Sequence, residues 1–163
     1  ARHQGEVEQP RPEPERMENC EKVFAAYHGR EALETQWMGD RACYSPSQDI
    51  VTMPERKKFH SAHALYSTWA HELAHSTGHQ KRLKRPMSGG FGLTSYAEEE
   101  LIAELAAFLI SDELQINSDT LNHANYLQSW IKCLRRDPSI LKDSLRDANR
   151  AKNFILHPKE TKS

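Results

Sequence analysis

Paired cysteines are missing from this sequence: its three cysteines are Cys20, Cys43 and Cys133, and no two of them form a CxxC motif. An odd number of widely separated cysteines argues against a disulfide scaffold and a thiolate zinc site, and it favours a reducing compartment. No segment has the pattern of a signal peptide, and no apolar run approaches the length of a membrane span. We therefore expect a cytoplasmic protein.

A charge surplus of either sign is also missing. Lys and Arg number 22 and Asp and Glu number 23, which leaves a formal net charge of −1. A chain with this balance is not a polycation that binds nucleic acid by counterion release. The basic residues do cluster, as ERKK at 55–58 and KRLKR at 81–85. Solvated helix ends are the favoured interpretation of both clusters, with contact to phosphate or an acidic partner as the alternative.

Apolar side chains are nearly absent from residues 1–16, ARHQGEVEQPRPEPER, which are rich in Pro, Glu and Gln. Such a segment cannot bury enough surface to offset the entropy lost on folding, so we predict a flexible linker or tail. One folded domain is expected at 17–158, followed by a C-terminal tail at 159–163. Because the sequence does not start like a natural N-terminus, we expect the C-terminal part of a longer protein, with 1–16 as the tether.

The folded segment begins with a helix and a small sheet. Apolar residues recur at helical spacing from Met17 to Tyr27, and His28-Gly29 ends this helix. Three short segments bounded by Gly, Asp or Pro predict strands of a small antiparallel sheet, namely ETQWMG at 34–39, RACYSP at 41–46 and DIVTMP at 49–54.

Four helices are predicted after the sheet, which makes the order of elements typical of the α+β class. The first runs from Ser61 to about His79 and ends near Gly78. The second follows a glycine-rich loop at 85–92 and starts at a capping box of Ser95 and Glu98. The last two span about 119–136 and 138–156. The side chains expected to face inward on the first two helices are Ala62, Leu65, Tyr66, Trp69, Leu73, Leu101, Leu105, Phe108 and Leu109.

The stretch WAHELAHSTGH, residues 69–79, carries the pattern H-E-x-x-H. His71 and His75 are four residues apart, so on a helix both imidazoles project from one face, which suits two ligands of a tetrahedral zinc ion. Zinc lowers the pKa of a bound water from about 16 toward about 7, and Glu72 is placed to take its proton. Small and apolar neighbours indicate a buried helix, where unpartnered histidines would be costly. An exposed helix with two ordinary histidines is the alternative.

Two candidate positions for a third ligand lie just after the motif. The metzincin pattern requires a histidine where this sequence has Lys81, so that pattern is excluded. His79 continues the four-residue spacing, but it is rotated by roughly 80° from His71 around the helix axis and it follows Gly78. A surface histidine or a helix cap is the favoured interpretation of His79.

The acidic helix at 98–104 is the favoured source of the third ligand. Glu100 and Glu104 lie four residues apart on one face, as in zincins whose site is completed by a glutamate. We predict that Glu100 binds the metal and that Glu104 orients a histidine ligand, and the reverse assignment stays open. Glu98 and Glu99 are interpreted as first-turn acids that interact favourably with the helix dipole.

Four segments follow one another in order and with natural spacing, namely YSPSQDIVTMP, TWAHELAHSTGHQKRL, FGLTSYAEEELIAELAAFL and YLQSWIKCLRRD, and the match that they indicate covers about residues 20–156. Together they resemble the C-terminal domain of the ArdC antirestriction proteins and of the related TraC-type plasmid primases. That domain belongs to the zincin-like metallopeptidases of polyvalent proteins, which plasmids and phages carry. The resemblance is far more specific than H-E-x-x-H alone.

The resemblance implies a zincin-like fold with an SprT-type minimal core, in the bacterial cytoplasm. It implies one Zn²⁺ per chain, with the site residues carried over onto His71, Glu72, His75 and the helix containing Glu100 and Glu104. It also implies a single-stranded-DNA-binding domain that precedes this segment and is absent from it, and a role in protecting mobile DNA from host restriction.

The favoured function is a zinc-dependent metallopeptidase in which Glu72 acts as general base and then donates the proton to the leaving amine. The expected substrate is a protein or peptide, such as a host protein associated with DNA. Tyr96 and Tyr44 are candidate hydrogen-bond donors to a tetrahedral oxyanion, although a structural role is the favoured interpretation of each.

A non-catalytic antirestriction module, which binds protein or DNA and uses zinc to stabilise its fold, is the alternative function. The intact Glu72 argues against it, because a structural zinc needs no base and normally has four protein ligands. Nucleic-acid binding by this domain alone is the weakest hypothesis, given the net charge of −1.

Overall fold

The computed structural model describes residues 11–87, 94–117, 131–132 and 134–159. The elements are α1 (Glu18–Glu31), β1 (Glu34–Trp37), β2 (Cys43–Ser45), β3 (Ile50–Met53), α2 (Ala62–Ser76), α3 (Thr94–Leu114) and α4 (Ser139–Leu156). The predicted α+β class is confirmed. The glycine-rich loop at 85–92 and the helix predicted at about 119–136 lie partly or largely outside the described residues.

The three strands form one mixed sheet in the order β1-β3-β2. β1 pairs with β3 in parallel, with Glu34 opposite Ile50, whereas β2 pairs with β3 antiparallel. The prediction of an all-antiparallel sheet was therefore wrong for β1. The spans of the three strands were predicted well. However, β3 pairs antiparallel with β2 and lies between β2 and β1, so that it pairs in parallel with β1.

The side chains of α2 pack on β3 and α1. Ser61 caps the helix, because its side chain accepts a hydrogen bond from the backbone N–H of Ala64 at 3.1 Å. Trp69 contacts the rings of Phe24 and Trp37 edge-on, with centroid distances of 5.0 and 4.9 Å. Four of the five residues of this helix that were predicted to face inward are buried, namely Leu65, Tyr66, Trp69 and Leu73, and Ala62 is partly buried. Val51 and Met53 of β3 are buried as well. This packing fixes the rotation of α2 and hence the direction in which its histidines point.

α3 packs against both α2 and α4 through small side chains. Fully buried alanines form most of this contact, and the buried residues of the cluster are Ala74, Ile102, Ala103, Ala106, Ala148 and Ala151. Because the distance between packed helix axes depends on the side chains at the contact, alanines let α3 approach α2 closely. The approach brings the acidic residues of α3 next to the histidines of α2.

Two predictions about α3 need correction. Phe108 is 54% exposed rather than buried, although Leu101 is buried as expected. Apolar residues surround this helix, so its sequence pattern does not select one inward face, and the packing against α2 and α4 selects it instead. The helix also begins at Thr94, which places Ser95 inside the helix rather than at the cap.

Two helix ends differ from the prediction as well. α1 continues through Gly29 to Glu31 and ends at Ala32, which has a left-handed backbone with φ of 50°. α2 ends at Ser76, before Gly78. In the described ranges, we find no helix that combines the length and the apolar character needed to cross a membrane.

Candidate metal centre

Two histidines of α2 and one glutamate of α3 converge on a common point. The rings of His71 and His75 stand nearly perpendicular, with centroids 4.8 Å apart. Glu100 Oε2 lies 3.4 Å from Nε2 of His71, and Glu100 Oε1 lies 3.1 Å from Nε2 of His75. One ligand atom from each of these three residues lies within 4.8 Å of the others.

The opposite nitrogen of each imidazole faces a second carboxylate. Nδ1 of His71 is 2.9 Å from Oε2 of Glu104, and Nδ1 of His75 is 3.2 Å from Oε1 of Glu99. A proton on Nδ1 that is donated to a carboxylate leaves Nε2 with a free lone pair. Both histidines are therefore arranged so that Nε2, on the side of Glu100, is the atom that can bind a metal.

The interpretation of Glu99 as a first-turn acid was wrong. Glu99 is 7% exposed, and both of its carboxylate oxygens accept hydrogen bonds from the guanidinium of Arg85, at 2.8 and 2.9 Å. Burial raises the pKa of Glu99, but the hydrogen bonds from Arg85 and His75 outweigh burial and lower that pKa. Glu99 is therefore an ionised part of the site, and sequence reasoning missed it because the packing of α2 and α3 decides which acids are covered.

The basic cluster at 81–85 was also misinterpreted. Arg82 and Arg85 are buried, with 8% and 6% exposure, whereas Lys81 and Lys84 are exposed. Arginine suits buried ion pairs because its planar guanidinium binds a carboxylate through two hydrogen bonds. The alternation of lysine and arginine in this segment is the sequence feature that corresponds to its exposed and buried positions.

The site carries a surplus of negative charge. Among the described residues, the site has four carboxylates, one guanidinium and two imidazoles, which are positively charged only when protonated. The carboxylates are those of Glu72, Glu99, Glu100 and Glu104, the guanidinium is that of Arg85, and the imidazoles are those of His71 and His75. Burial lowers the pKa of His71, but hydrogen bonds to Glu100 and Glu104 outweigh burial and raise that pKa above its ordinary value. Without a metal, the negative charge of the carboxylates therefore favours protonation of the site, and a bound divalent cation would neutralise the same charge.

The donor set fits a divalent metal ion. A tetrahedral ion with bonds of about 2.0–2.1 Å holds its ligand atoms about 3.4 Å apart. The two Nε2 atoms lie 3.4 and 3.1 Å from different oxygens of Glu100, and one ligand atom from each of the three residues lies within 4.8 Å of the others. Imidazole and carboxylate ligands also suit several other divalent ions of the first transition row. Three protein ligands leave at least one coordination position for water or substrate.

Glu72 lies on α2 between the two histidines and is 8% exposed. Burial raises the pKa of Glu72, and the charges of His71 and His75 act against that effect. Glu100 and Glu104 raise it further. The structure thus places a buried carboxylate of increased basicity beside the three converging donors.

The other residues weighed as site residues have separate positions. Tyr96, 36% exposed, lies on α3 near Glu100 and Glu72, whose charges together with burial raise the pKa of its hydroxyl. Tyr44 donates a hydrogen bond to Asp49 at 2.6 Å and has a structural role. Nδ1 of His79 accepts a hydrogen bond from the backbone N–H of Lys81 at 3.0 Å, so this histidine stabilises the turn after α2.

Residues 18–145 match the family described as Zincin-like metallopeptidase. The chain is 44% identical over 125 residues to a DNA primase TraC of Escherichia coli, an alignment that covers 77% of the chain and 9% of the primase. It is 38% identical over 127 residues to the uncharacterized protein y4eC of Sinorhizobium fredii, covering 77% of the chain and 40% of that protein.

Crystal structures of the antirestriction protein ArdC from plasmid R388 share the fold. The Mn(II)-bound form aligns with a TM-score of 0.76 at 31% identity, over 90% of this chain and 54% of ArdC. The metal-free form aligns with a TM-score of 0.74 at 32% identity, over 89% of this chain and 52% of ArdC. The chain thus spans about half of ArdC and about a tenth of the TraC primase.

Proposed function

Because this chain belongs to the zincin-like metallopeptidases, we propose that it hydrolyses peptide bonds with a divalent metal ion, and that the ion is zinc. The observation that carries the proposal is the convergence of His71, His75 and Glu100 beside the buried carboxylate of Glu72. A structural metal site has no use for such a carboxylate, whereas a peptidase requires a base next to an open coordination position.

His71, His75 and Glu100 would hold the ion, through Nε2 of each histidine and a carboxylate oxygen of the glutamate. When bound, the ion supplies Lewis-acid chemistry: it lowers the pKa of water and polarises a carbonyl group. The carboxylates of Glu104 and Glu99 lie 2.9 and 3.2 Å from Nδ1 of the two imidazoles, where they would favour a proton on Nδ1 and leave Nε2 as the donor atom.

Glu72 moves the proton in this proposal. Burial raises the pKa of its carboxyl group, so the group accepts a proton more readily than an exposed glutamate would. It takes the proton from the attacking water and delivers it to the leaving amine, so that the peptide bond breaks into an acid and an amine.

Tyr96 is proposed to donate a hydrogen bond to the oxygen that becomes negative during the attack. Its position near Glu100 and Glu72, at the start of α3, supports this role. A single donor of this kind contributes about 10²–10³-fold to kcat in enzymes where one has been removed.

The substrate class is proposed from the relatives. ArdC is described as an antirestriction protein and TraC as a DNA primase, so a protein associated with DNA in the bacterial cytoplasm, such as a component of a restriction system, is the substrate we propose. Single-stranded DNA would be bound by a separate domain that precedes this segment.

The test compares the wild-type chain with Glu72→Gln, which keeps the shape of the side chain and removes its basicity. Both proteins are stripped of metal, reloaded with Zn²⁺ or Mn²⁺, and checked for metal content. They are then incubated with labelled casein and with a purified restriction endonuclease. We expect equal metal content and a loss of cleavage of about 10²–10⁴-fold in the variant.

Cleavage that is absent from the metal-loaded wild type, or equal in the variant, would overturn the peptidase proposal. In that case the alternative, a non-catalytic antirestriction module with a metal-stabilised fold, becomes the better account. The metal measurement separates this outcome from a failure of the metal site itself.

A further inference from the structure

The guanidinium of Arg85 makes four hydrogen bonds next to the metal centre. Nε and Nη2 donate to the two oxygens of Glu99 at 2.9 and 2.8 Å, and Nη2 also donates to the backbone carbonyl of Ala74 at 2.9 Å. Nη1 donates to the hydroxyl of Thr77 at 2.8 Å. Four hydrogen bonds on one buried guanidinium fix both its place and its orientation.

These contacts reach the metal centre through one residue. Oε1 of Glu99 accepts from Nη2 of Arg85 at 2.8 Å and lies 3.2 Å from Nδ1 of His75. The Arg85 guanidinium also bonds the carbonyl of Ala74, the residue just before His75. A single side chain therefore holds the carboxylate that orients His75 and the helix turn that carries His75.

The turn after α2 is shaped to admit this guanidinium. The backbone N–H of Arg85 donates to the carbonyl of Gly78 at 3.0 Å. A Cβ atom on Gly78 would lie 2.9 Å from Nη2 of Arg85 and 2.9 Å from Sδ of Met87. Only a glycine leaves room for the guanidinium in its present position.

We propose that Arg85 is a positioning residue of the metal site, which fixes the orientation of His75 through Glu99. This inference rests on the proposed metal site and deepens it. Neither residue binds the ion itself: Arg85 has no acceptor atoms, and the carboxylate of Glu99 lies at Nδ1 of His75, away from Glu100. Outer partners of this kind typically change metal affinity by about 10–100-fold.

A second buried arginine provides a matched control. Arg82 belongs to the same segment and forms two hydrogen bonds with Asp49, at 2.8 and 2.9 Å. Like Arg85, it bonds a carbonyl of α2, that of Ser76, at 3.1 Å. Among the described residues, the hydrogen bonds and ion pairs of Arg82 go to Asp49, Glu31 and Ser76. Replacing Arg82 therefore disturbs the same turn but leaves the contact between Arg85 and Glu99 in place.

The experiment measures the dissociation constants of Zn²⁺ and Mn²⁺ by competition with a chromophoric chelator, on the full 163-residue chain. The variants are Arg85→Lys, Glu99→Gln, the double variant and Arg82→Lys, and the melting temperature of each metal-free protein is recorded. Lysine keeps the charge of Arg85 but cannot bind both oxygens of Glu99 as a planar fork. We expect Arg85→Lys and Glu99→Gln each to weaken metal binding at least about tenfold, and Arg82→Lys to leave it unchanged.

The double variant tests whether Arg85 acts through Glu99. Affinity no weaker than that of Glu99→Gln supports the proposal, and independent, multiplying effects overturn it. Unchanged affinity in Arg85→Lys, or an equal loss in Arg82→Lys, also overturns it while leaving the proposed function intact. Metal binding absent from the wild type would overturn both. If Arg85→Lys does not fold, Glu99→Gln alone decides, because normal affinity in that variant overturns the proposal.

Discussion

Glu104 and His71 belong to different helices, yet Oε2 of the glutamate lies 2.9 Å from Nδ1 of the histidine. Glu100, one turn earlier on α3, faces the other nitrogen of the same ring at 3.4 Å. Two glutamates on one helix face thus lie next to the two different nitrogens of one imidazole, so we expect them to have different roles. Glu100 lies with the converging Nε2 atoms, and Glu104 lies behind the ring.

Replacing the two acids separately tests this division. We expect Glu100→Ala to lose the metal during purification, because it removes a ligand. Glu104→Ala should retain metal with an affinity about 10–100-fold weaker, because only the orientation of His71 is affected. Metal content per chain by plasma emission, together with competition titrations, measures both effects. Retention in Glu100→Ala and loss in Glu104→Ala would reverse the assignment.

Metal affinity should depend on pH. Hydrogen bonds to Glu100 and Glu104 overcome the effect of burial and raise the pKa of His71, so the metal-free site is protonated at neutral pH. A metal ion must displace that proton, and its apparent affinity therefore rises with pH, by about tenfold per pH unit for each proton released. Titrations with Mn²⁺ at pH 6, 7 and 8 measure the slope. A flat profile would show that no proton is exchanged.

Gly78→Ala is expected to weaken metal binding without removing any polar group. The added Cβ would lie 2.9 Å from Nη2 of Arg85, at the far end of a flexible side chain that can shift away. Shifting it loosens the hydrogen bonds of the buried guanidinium to Glu99, so we expect a loss of affinity of about tenfold together with a lower melting temperature. Gly29→Ala is the control, because a Cβ there meets nothing within 4 Å.

The ion pair of Asp49 with Arg82 should make stability depend on pH. Burial raises the pKa of Asp49, but hydrogen bonds from Arg82 and Tyr44 outweigh burial and lower that pKa. The stabilisation is therefore present above the unfolded pKa of about 3.9 and is lost as pH falls through the lower folded value. Asp49→Asn should lower the free energy of unfolding by about 1–3 kcal/mol at pH 7, and by less at pH 3.

Urea unfolding at the two pH values measures the difference between wild type and Asp49→Asn. Asp40→Asn is a suitable control, because Asp40 pairs with Lys58 at the surface and its side chain is 85% exposed. Exposed pairs contribute little to stability, so this variant should resemble the wild type at both pH values. An equal loss at pH 7 and pH 3 for Asp49→Asn would argue against an ionic contribution.

Tyr96→Phe tests the proposed oxyanion donor. If the peptidase proposal holds, kcat should fall by about 10²-fold, while metal content and KM stay close to the wild-type values. The control is Tyr44→Phe, because the Tyr44 hydroxyl donates to Asp49 and belongs to a structural contact. That variant should lose stability and keep its kcat. An unchanged kcat in Tyr96→Phe would remove this residue from the mechanism.

The local features of this protein follow from its sequence alone. A spacing of four residues puts His71 and His75 on one side of any helix, and the same holds for Glu100 and Glu104, because helical geometry is set by the backbone. Turn residues marked the three strands to within two residues of their bounds. The buried face of α2 also followed from its periodicity.

Which helix and strand faces pack against each other depends on the tertiary fold. The pairing of β1 with β3 and the exposure of Phe108 follow from packing between segments distant in sequence, which no local period encodes. Glu99 and Arg85 looked like surface charges for the same reason. Considered alone, each is a charged residue of a type that is usually exposed. They are buried together because the alanine side chains let α3 pack closely on α2, and because the turn after α2 brings Arg85 onto Glu99.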